Sequence, residues 1–271
     1  MMDNIVPQEV YEKEAQLIKR IKSFSKVLVA FSGGVDSTYL LAVAHQALGE
    51  NCRAVMARGP MVSLQEEKEA LALAKQYDFP IEVLDLDVLA IDEFRNNLPK
   101  RCYYCKKKLF ELFLDLSRRS ANPTVIEGTN ASDASDYRPG RIALQELGIL
   151  SPLLEVGLTK AEIRILSRQR NLPTWNKPSM ACLASRVPYG DPITAELLHR
   201  IAQAEEILHQ KGYLECRVRV HGDIARIEVP QADFSKFVRE CSEITAPLLR
   251  LGFRFVTLDL SGLCSGSLNP I

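Results

Sequence analysis

The sequence predicts an α/β protein in which a doubly wound, mostly parallel sheet is followed by a smaller C-terminal α+β domain. Up to about residue 175, short apolar and β-branched segments alternate with segments of helical periodicity. Such alternation builds right-handed βαβ units, which place helices on both faces of a parallel sheet. Beyond a proline-containing stretch the pattern becomes helix, hairpin, helix and strand. We therefore predict a first domain over 1–175, a linker over 176–192 and a second domain over 193–271.

The elements of the first domain follow from the spacing of apolar residues and from the breakers between them. An amphipathic helix comes first, and Thr159 with Glu162 forms a capping box at the start of the last helix. The predicted helices cover 9–23, 38–48, 64–77, 102–119 and 159–170, and the predicted strands cover 26–31, 52–57, 81–87, 124–129 and 150–155.

The second domain is predicted from a shorter series of elements. A helix over 195–211 precedes a hairpin whose strands cover 217–220 and 225–229. A helix over 232–251 and a last strand over 253–260 complete the domain. The linker between the two domains contains several prolines and little periodicity, which is typical of a functional loop.

Composition excludes several classes of protein. The formal net charge is +0, so no global basicity indicates a nucleic-acid partner. No apolar run is long enough to span a bilayer, and the N-terminus lacks a secretory signal pattern. We expect a cytoplasmic protein without membrane or nucleic-acid partners. In that reducing location the seven cysteines indicate metal, cluster or catalytic roles where they cluster.

The strongest motif is Ser32-Gly33-Gly34-Val35-Asp36-Ser37, which lies between the first strong strand and a helix. Such a junction directs unpaired backbone N–H groups at one point, and the helix dipole adds positive potential there. Paired glycines remove the Cβ atoms that would keep a phosphate away from the backbone. The motif is neither a Walker loop nor a dinucleotide fingerprint. It predicts a phosphate-binding loop.

The second motif is Cys102-Tyr103-Tyr104-Cys105 at the start of a helix, close to Arg101, Lys106 and Lys107. Two thiolates at this spacing can bind one metal or cluster. A third cysteine, Cys182, lies in the proline-bounded linker, and three cysteines leave one iron of an iron–sulfur cube without a protein ligand. The motif is also compatible with a redox pair or with two buried thiols.

The third pattern is a row of basic residues in the predicted hairpin. Arg217, Arg219 and His221 alternate along one strand and therefore share a face. An arginine pair suits a phosphate group, whereas the spacing alone is equally typical of a solvated sheet face.

Ser32–Ser37 resembles the PP-loop of ATP pyrophosphatases, which split ATP into AMP and pyrophosphate to activate a carbonyl or carboxyl group. Over almost its whole length the chain is similar to the LarE family of ATP-dependent sulfur transferases within that class. The residues that carry this resemblance are Ser32–Ser37, Tyr103-Tyr104 with Lys106, Glu127–Asn130, Asp136–Gly140, Trp175–Lys177, Ser185-Arg186 with Pro188–Gly190, and Arg217–Glu228.

The resemblance implies a fold of the adenine nucleotide alpha hydrolase-like type, with ATP and Mg²⁺ as cofactors. It implies adenylation of a carboxylate of pyridinium-3,5-biscarboxylic acid mononucleotide, release of pyrophosphate, and conversion to a thiocarboxylate for the nickel-pincer nucleotide cofactor. A homo-oligomer, commonly a hexamer, is implied by the same analogy.

The resemblance, together with the motifs, assigns candidate residues to each part of the site. Ser32, Gly33, Gly34, Asp36, Ser37, Arg58 and Thr129 are the candidates for binding ATP and pyrophosphate. Cys182, Lys106 and Asp36 are the catalytic candidates. Ser185, Arg186, Glu205, Arg217, Arg219 and Glu228 are the candidates for binding substrate.

The family supplies sulfur in two ways, from one sacrificed cysteine or from sulfide on a three-cysteine 4Fe–4S cluster. The position of the sacrificed cysteine is taken by Ala181 here, next to Cys182. This favours a cluster on Cys102, Cys105 and Cys182, while sacrifice of Cys182 stays open as a second route. Three further functions stay open: a cluster-dependent tRNA thiolase, which would need a basic surface, a nucleotide-binding module without catalysis, and an ammonia-dependent ligase.

Overall fold

The computed structural model describes residues 7–135, 139–178, 181–264 and 268. Residues 136–138 of the Asp136–Gly140 motif and residues 179–180 of the predicted linker lie outside the described residues. The chain forms two compact units. The first comprises 1–58, 64–86 and 102–179, and the second comprises 59–63, 87–101 and 180–271.

The elements of the described residues are numbered in chain order. The helices are α1 (Gln8–Lys22), α2 (Val35–Leu48), α3 (Leu64–Gln76), α4 (Asp92–Arg95), α5 (Arg101–Arg119), α6 (Gly140–Glu146), α7 (Pro152–Glu155), α8 (Lys160–Gln169), α9 (Ala195–Gln210), α10 (Phe234–Arg239) and α11 (Cys241–Arg250). The strands are β1 (Val27–Ala30), β2 (Cys52–Arg58), β3 (Ile81–Asp85), β4 (Thr124–Ile126), β5 (Arg217–His221), β6 (Ile224–Glu228) and β7 (Phe255–Leu258).

The first unit is built on a four-stranded parallel sheet in the order β3-β2-β1-β4. Side chains of β1 alternate between its two faces. Val27 and Val29 join a core with α1, α2 and α8, and Leu28 joins a second core with Phe110 and Phe113 of α5. Helices therefore cover both faces, and the predicted doubly wound α/β class is confirmed.

The strand order reverses between β1 and β4, which lie side by side in the sheet. In open parallel sheets, ligands bind in the crevice outside the carboxyl ends of the strands at this reversal. The phosphate-loop motif follows β1, and Glu127–Asn130 follows β4. The topology thus brings two of the motifs to one crevice.

Two predicted elements are wrong. The segment 150–155 is not a strand, because only Leu150 bridges Ile126, and Pro152 begins the short helix α7. The helix predicted over 232–251 is interrupted at Glu240, which separates α10 from α11. Buried Phe237 and Ile244 are seven residues apart, which is about two helical turns. The helical spacing of apolar residues therefore continues across the break, and the sequence gives no sign of it.

The second unit contains a three-stranded sheet in the order β5-β6-β7, with β6 antiparallel to β5 and parallel to β7. Val218, Val220, Ala225 and Ile227 are buried on one face. The opposite face carries the polar row that begins at Arg217. A smaller α+β unit at the C-terminus is confirmed. None of the described helices is both long and apolar enough to cross a membrane.

Candidate active site

The loop after β1 is closed by two serines. Ser32 donates its backbone N–H to Ser37 Oγ at 3.2 Å, and the two hydroxyl oxygens are 3.1 Å apart. Gly34 caps α2 without a side-chain hydrogen bond to the first turn. The N-terminal amides of α2 lack intrahelical acceptors, so the arrangement forms an anion cradle in the crevice.

Glycine is required at position 33 for two reasons. Its φ is +68°, a left-handed conformation that residues with a Cβ rarely adopt. A Cβ there would also lie 2.7 Å from the Cβ of Ala70 in α3. The loop therefore packs against α3 through a contact that only glycine permits.

A second glycine brings the end of β4 against the loop. A Cβ on Gly128 would lie 3.1 Å from the backbone nitrogen of Ser37 and 3.3 Å from the Asp36 side chain. Thr129, the predicted ATP-binding residue after β4, is buried and donates both its N–H and its hydroxyl to Glu127, at 3.0 and 2.9 Å.

Asp36 lies at the first turn of α2 with its two carboxylate oxygens in different environments. Oδ2 accepts a hydrogen bond from Lys160 Nζ at 2.6 Å. Oδ1 is buried and has no hydrogen-bond partner among the described residues. Burial raises the pKa of Asp36 above its usual range, against the opposing effect of Lys160. A buried, unpartnered carboxylate oxygen beside a phosphate cradle is the ligand that Mg²⁺ prefers.

Lys106 lies beside the same strand end, on α5. Its Nζ is 3.9 Å from Glu127 Oε2, and Ser151 also donates to the Glu127 carboxylate. The aliphatic part of Lys106 occupies the space where Gly140 lacks a side chain, since a Cβ there would lie 2.9 Å from Lys106 Cδ. Lys106 is thus held in place by packing while its ammonium group stays partly exposed.

Two basic residues flank the loop in different ways. Lys177 Nζ donates to the backbone oxygen of Gly33 at 3.4 Å and to Glu69 at 3.0 Å. Arg58, the other predicted ATP-binding residue, forms an exposed ion pair with Asp85 at 2.5 Å, which raises the arginine pKa and lowers the pKa of Asp85. Lys177 therefore contacts the loop directly, whereas the guanidinium of Arg58 is held by a carboxylate.

The cysteines divide by burial. Cys102 is exposed and Cys105 half-buried, and the two lie three residues apart on one side of α5. Cys182 is exposed in the second unit. Among the residues that the structure describes, no three His, Cys, Asp or Glu side chains form a group that could hold a metal ion. Cys52 and Cys216 are buried, and burial raises the pKa of the Cys52 thiol to about 12, as expected of structural cysteines.

In the second unit, the predicted substrate residues Arg186 and Glu205 form a buried bidentate ion pair, with both hydrogen bonds at 2.8 Å. Glu205 also accepts from the backbone N–H of Val218 at 2.9 Å, which ties α9 to β5. Arg186 donates further to Ser185 Oγ at 2.9 Å. The pair thus fixes the 183–186 turn against the sheet.

The polar face of the small sheet holds the other predicted substrate residues. Arg219 donates to Glu228 at 3.0 Å, and Arg226 forms ion pairs with Glu228 at 3.1 Å and with Asp259 at 2.6 Å. Arg219 and Arg226 stand opposite each other across the two strands. The Nε groups of both are buried without a hydrogen-bond partner in the described part of the chain.

Arg217 lies on the same face, opposite Glu228 in the register. Burial, followed by the nearby Arg186 guanidinium, lowers the pKa of Arg217. Arginines that are buried close to one another favour an anionic ligand. A bound negative charge offsets both the repulsion between the guanidiniums and their loss of hydration.

Sequence reasoning missed Lys160 and the acceptor role of Glu127. Lys160 is the first residue of α8 and directly follows the capping Thr159. The capping box therefore predicts where this helix starts, but it does not predict the contact of Lys160 with Asp36. Glu127 belongs to the Glu127–Asn130 motif, yet its bonds to Thr129 and Ser151 depend on the turn after β4.

Comparison with known proteins gives matches along nearly the whole chain. The NAD synthase family model matches residues 8–102. The chain is 37% identical over 258 residues to the pyridinium-3,5-bisthiocarboxylic acid mononucleotide synthase of Lactiplantibacillus plantarum, covering 95% of this chain and 94% of that protein. It is 40% identical over 248 residues to the uncharacterized protein slr1717 of Synechocystis, covering 91% and 92%. A glutamine-hydrolyzing GMP synthase of Helicobacter pylori is 24% identical over 62% of the chain.

Proposed function

Because the chain belongs to the LarE family of PP-loop proteins, we propose that it is an ATP-dependent sulfur transferase that makes a pyridinium thiocarboxylate mononucleotide. Its substrate is pyridinium-3,5-biscarboxylic acid mononucleotide, and its product serves nickel-pincer nucleotide cofactor synthesis. The observation that carries this proposal is the cradle of Ser32–Ser37 with the unpartnered Asp36 Oδ1 beside it, in the part of the chain that the structure describes.

ATP binds with its phosphates on the N-terminal amides of α2 and on the hydroxyls of Ser32 and Ser37, while Gly33 and Gly34 allow the close approach. Thr129 and Arg58 complete the nucleotide site at the ends of β4 and β2. Asp36 would hold Mg²⁺, which would supply charge neutralisation on the phosphate oxygens. Lys160 favours the ionised form of the buried Asp36, since its ammonium group opposes the effect of burial, which raises that pKa.

The substrate carboxylate attacks the α-phosphorus of ATP, and the bond to the pyrophosphate oxygen breaks. The adenylated carboxyl group then carries a leaving group, which the free carboxylate lacks. The departing pyrophosphate remains on the amide cradle, where the α2 dipole stabilises its charge. Lys106 polarises the carboxyl group of the substrate, and Glu127 keeps the lysine directed at the crevice.

The phosphate of the mononucleotide is bound by Arg217 and Arg219. The lowered pKa of Arg217 and the Nε of Arg219, which is unpartnered among the described residues, support this role, because both favour an anion at the polar face. Ser185, Arg186, Glu205 and Glu228 hold that face and complete the substrate site.

The sulfur site uses Cys102, Cys105 and Cys182, and the donor types fit a 4Fe–4S cluster. Cys102 and Cys105 share one side of a helix, and neither Cys102 nor Cys182 is buried. When bound, such a cluster supplies an iron without a protein ligand that can carry sulfide. Sacrifice of Cys182 is the second candidate, because this thiol is exposed.

The test is anaerobic purification followed by assay with ATP and the dicarboxylate mononucleotide. We expect equal release of pyrophosphate and AMP, formation of thiocarboxylate, and about four irons per chain with matching labile sulfide. Loss of colour in Cys182→Ala supports three-cysteine ligation. Iron-free protein whose Cys182 becomes dehydroalanine identifies the sacrificial route, and salt-sensitive retention of RNA identifies a tRNA thiolase. We also propose a cytoplasmic homo-oligomer, which sizing by light scattering tests.

A further inference from the structure

The segment 181–190, which carries Cys182, is held by hydrogen bonds to its backbone oxygens. Arg186 donates to the oxygens of Ala181 and Cys182, at 2.7 and 3.3 Å. Arg219, on β5, donates to the oxygen of Ser185 at 2.7 Å. Two of the predicted substrate arginines thus also determine where the first half of this segment lies.

The second half of the segment is held by Asn97, a residue that belongs to none of the motifs. Its Nδ2 donates to the backbone oxygens of Val187 and Pro188, at 3.2 and 2.6 Å. Its own backbone oxygen accepts from the N–H of Gly190 at 3.2 Å. Asn97 itself is fully buried and its bond to Val187 is buried, so a lost partner there leaves a costly unsatisfied group.

The residue type at position 97 follows from two requirements. The backbone has φ +53°, a left-handed conformation that asparagine adopts more readily than most residues. The side chain must also donate to two carbonyl oxygens, which glycine cannot do. Arg101 donates to Asn97 Oδ1, and this bond fixes the amide so that Nδ2 faces the segment.

Arg101 extends this set of contacts within the second unit. Its guanidinium lies over the ring of Tyr189, 4.3 Å from the centroid, and its backbone precedes Cys102 directly. The contacts of Arg101 and Asn97 therefore converge on the segment that contains Cys182.

We propose that Asn97 is a positioning residue for sulfur transfer, which holds the backbone of residues 187–190 and so keeps the segment that carries Cys182 in one arrangement within the second unit. This rests on the proposed role of Cys182. The hydrogen bonds of Asn97 described above lie within the second unit, so we expect this residue to affect delivery of sulfur and not release of pyrophosphate.

The first test is hydrogen exchange of the intact protein with Asn97→Asp and Asn97→Gly. Both residues tolerate the left-handed backbone, but aspartate presents an acceptor to two carbonyl oxygens and glycine presents nothing. Peptides covering 181–193 should exchange about tenfold faster or more, as loss of two buried hydrogen bonds implies. Peptides from β1 and β2 should be unchanged. The control is Asn96→Asp at the exposed neighbouring position.

The second test separates the two half-reactions in the same variants. We expect thiocarboxylate formation to fall about tenfold or more while pyrophosphate release stays within about twofold of the unmodified chain. Unchanged exchange over 181–193, or an equal fall of both half-reactions, overturns the positioning role. If the unmodified chain releases no pyrophosphate, the proposed function fails, and the exchange result alone then decides whether Asn97 holds the segment.

Discussion

The crevice of the parallel sheet and the polar face of the small sheet both collect groups that suit an anion, but by different means. In the crevice, backbone amides of α2 lie beside a loop whose side chains are small. On the polar face, charged side chains are buried in contact with one another, as in Arg219 with Glu228. The crevice depends on the close approach of a phosphate to the backbone, so added side-chain atoms should damage it. The polar face depends on the pairing of buried charges, so removal of one charge should damage it.

The largest effect is expected for Gly33→Ala in the crevice. The new methyl group would overlap Ala70, and the backbone would be forced away from φ +68°, so the cradle would shift. We expect pyrophosphate release to fall by about 100-fold, as for a displacement of about 1 Å in a positioned site. The assay is ATP-dependent pyrophosphate release at saturating substrate.

Gly148→Ala is the matched control for that variant. Gly148 has φ +67°, but a Cβ there meets nothing within 4 Å. It should cost about 1 kcal/mol of folding stability through conformation alone and leave the rate unchanged. Equal loss of activity in both variants would contradict the role assigned to the contact with Ala70.

In the second unit, Arg186→Gln is expected to lower folding stability. It leaves the carboxylate of Glu205 buried without its charge partner, which costs about 3–5 kcal/mol. Urea unfolding should therefore show a much lower midpoint. The double variant Arg186→Met with Glu205→Leu should recover most of the loss, because no uncompensated charge remains. A single variant as stable as the parent would mean that the pair does not stabilise the packing of α9 against the small sheet.

An intermediate effect on pH dependence is expected for Lys160→Met. Lys160 opposes the rise in the pKa of Asp36 that burial causes, so its removal raises that pKa further. Since the ionised carboxylate is the form that holds Mg²⁺, activity is lost as the pH falls through this pKa. The acid limb of the pyrophosphate-release profile should move to higher pH in Lys160→Met and stay near its original position in Lys160→Arg. If the acid limb stays at the same pH in both variants, Lys160 does not influence the ionisation of Asp36.

The smallest effect is expected for Arg58→Ala. The guanidinium is about half exposed and already paired with Asp85, and exposed pairs contribute little. We expect the KM for ATP to rise less than about tenfold without a change in kcat. A large fall in kcat would contradict this expectation and indicate that Arg58 makes a contact only in the transition state.

The parts of the fold that were predicted correctly are those specified locally. Strand, glycine loop and helix follow one another between residues 27 and 48, and the Thr159–Glu162 capping box forms as its spacing requires. Local patterns failed at two places. The apolar run at 150–155 indicates a strand, but Pro152 begins a helix there. The helix break at Glu240 leaves the spacing of apolar residues unchanged, so the sequence does not show it.

The site was predicted in its residue types more completely than in its contacts. Lys160 lies 124 residues from Asp36 in the sequence, and Asn97 lies 91 residues from Pro188. Neither contact leaves a periodic or spaced signal, because each depends on how distant elements fold together. The pairing of Arg186 with Glu205 was likewise unforeseen, although both residues were named.

The facing guanidiniums of Arg219 and Arg226 have a thermal consequence. Like charges directly opposite each other across two strands weaken a sheet. Glu228 pairs with both guanidiniums, but their Nε groups are buried without a partner in the described residues. A dianion that binds there only in the folded state adds stability in proportion to the logarithm of its concentration. Inorganic phosphate should therefore raise the melting temperature of this protein more than chloride does at equal ionic strength.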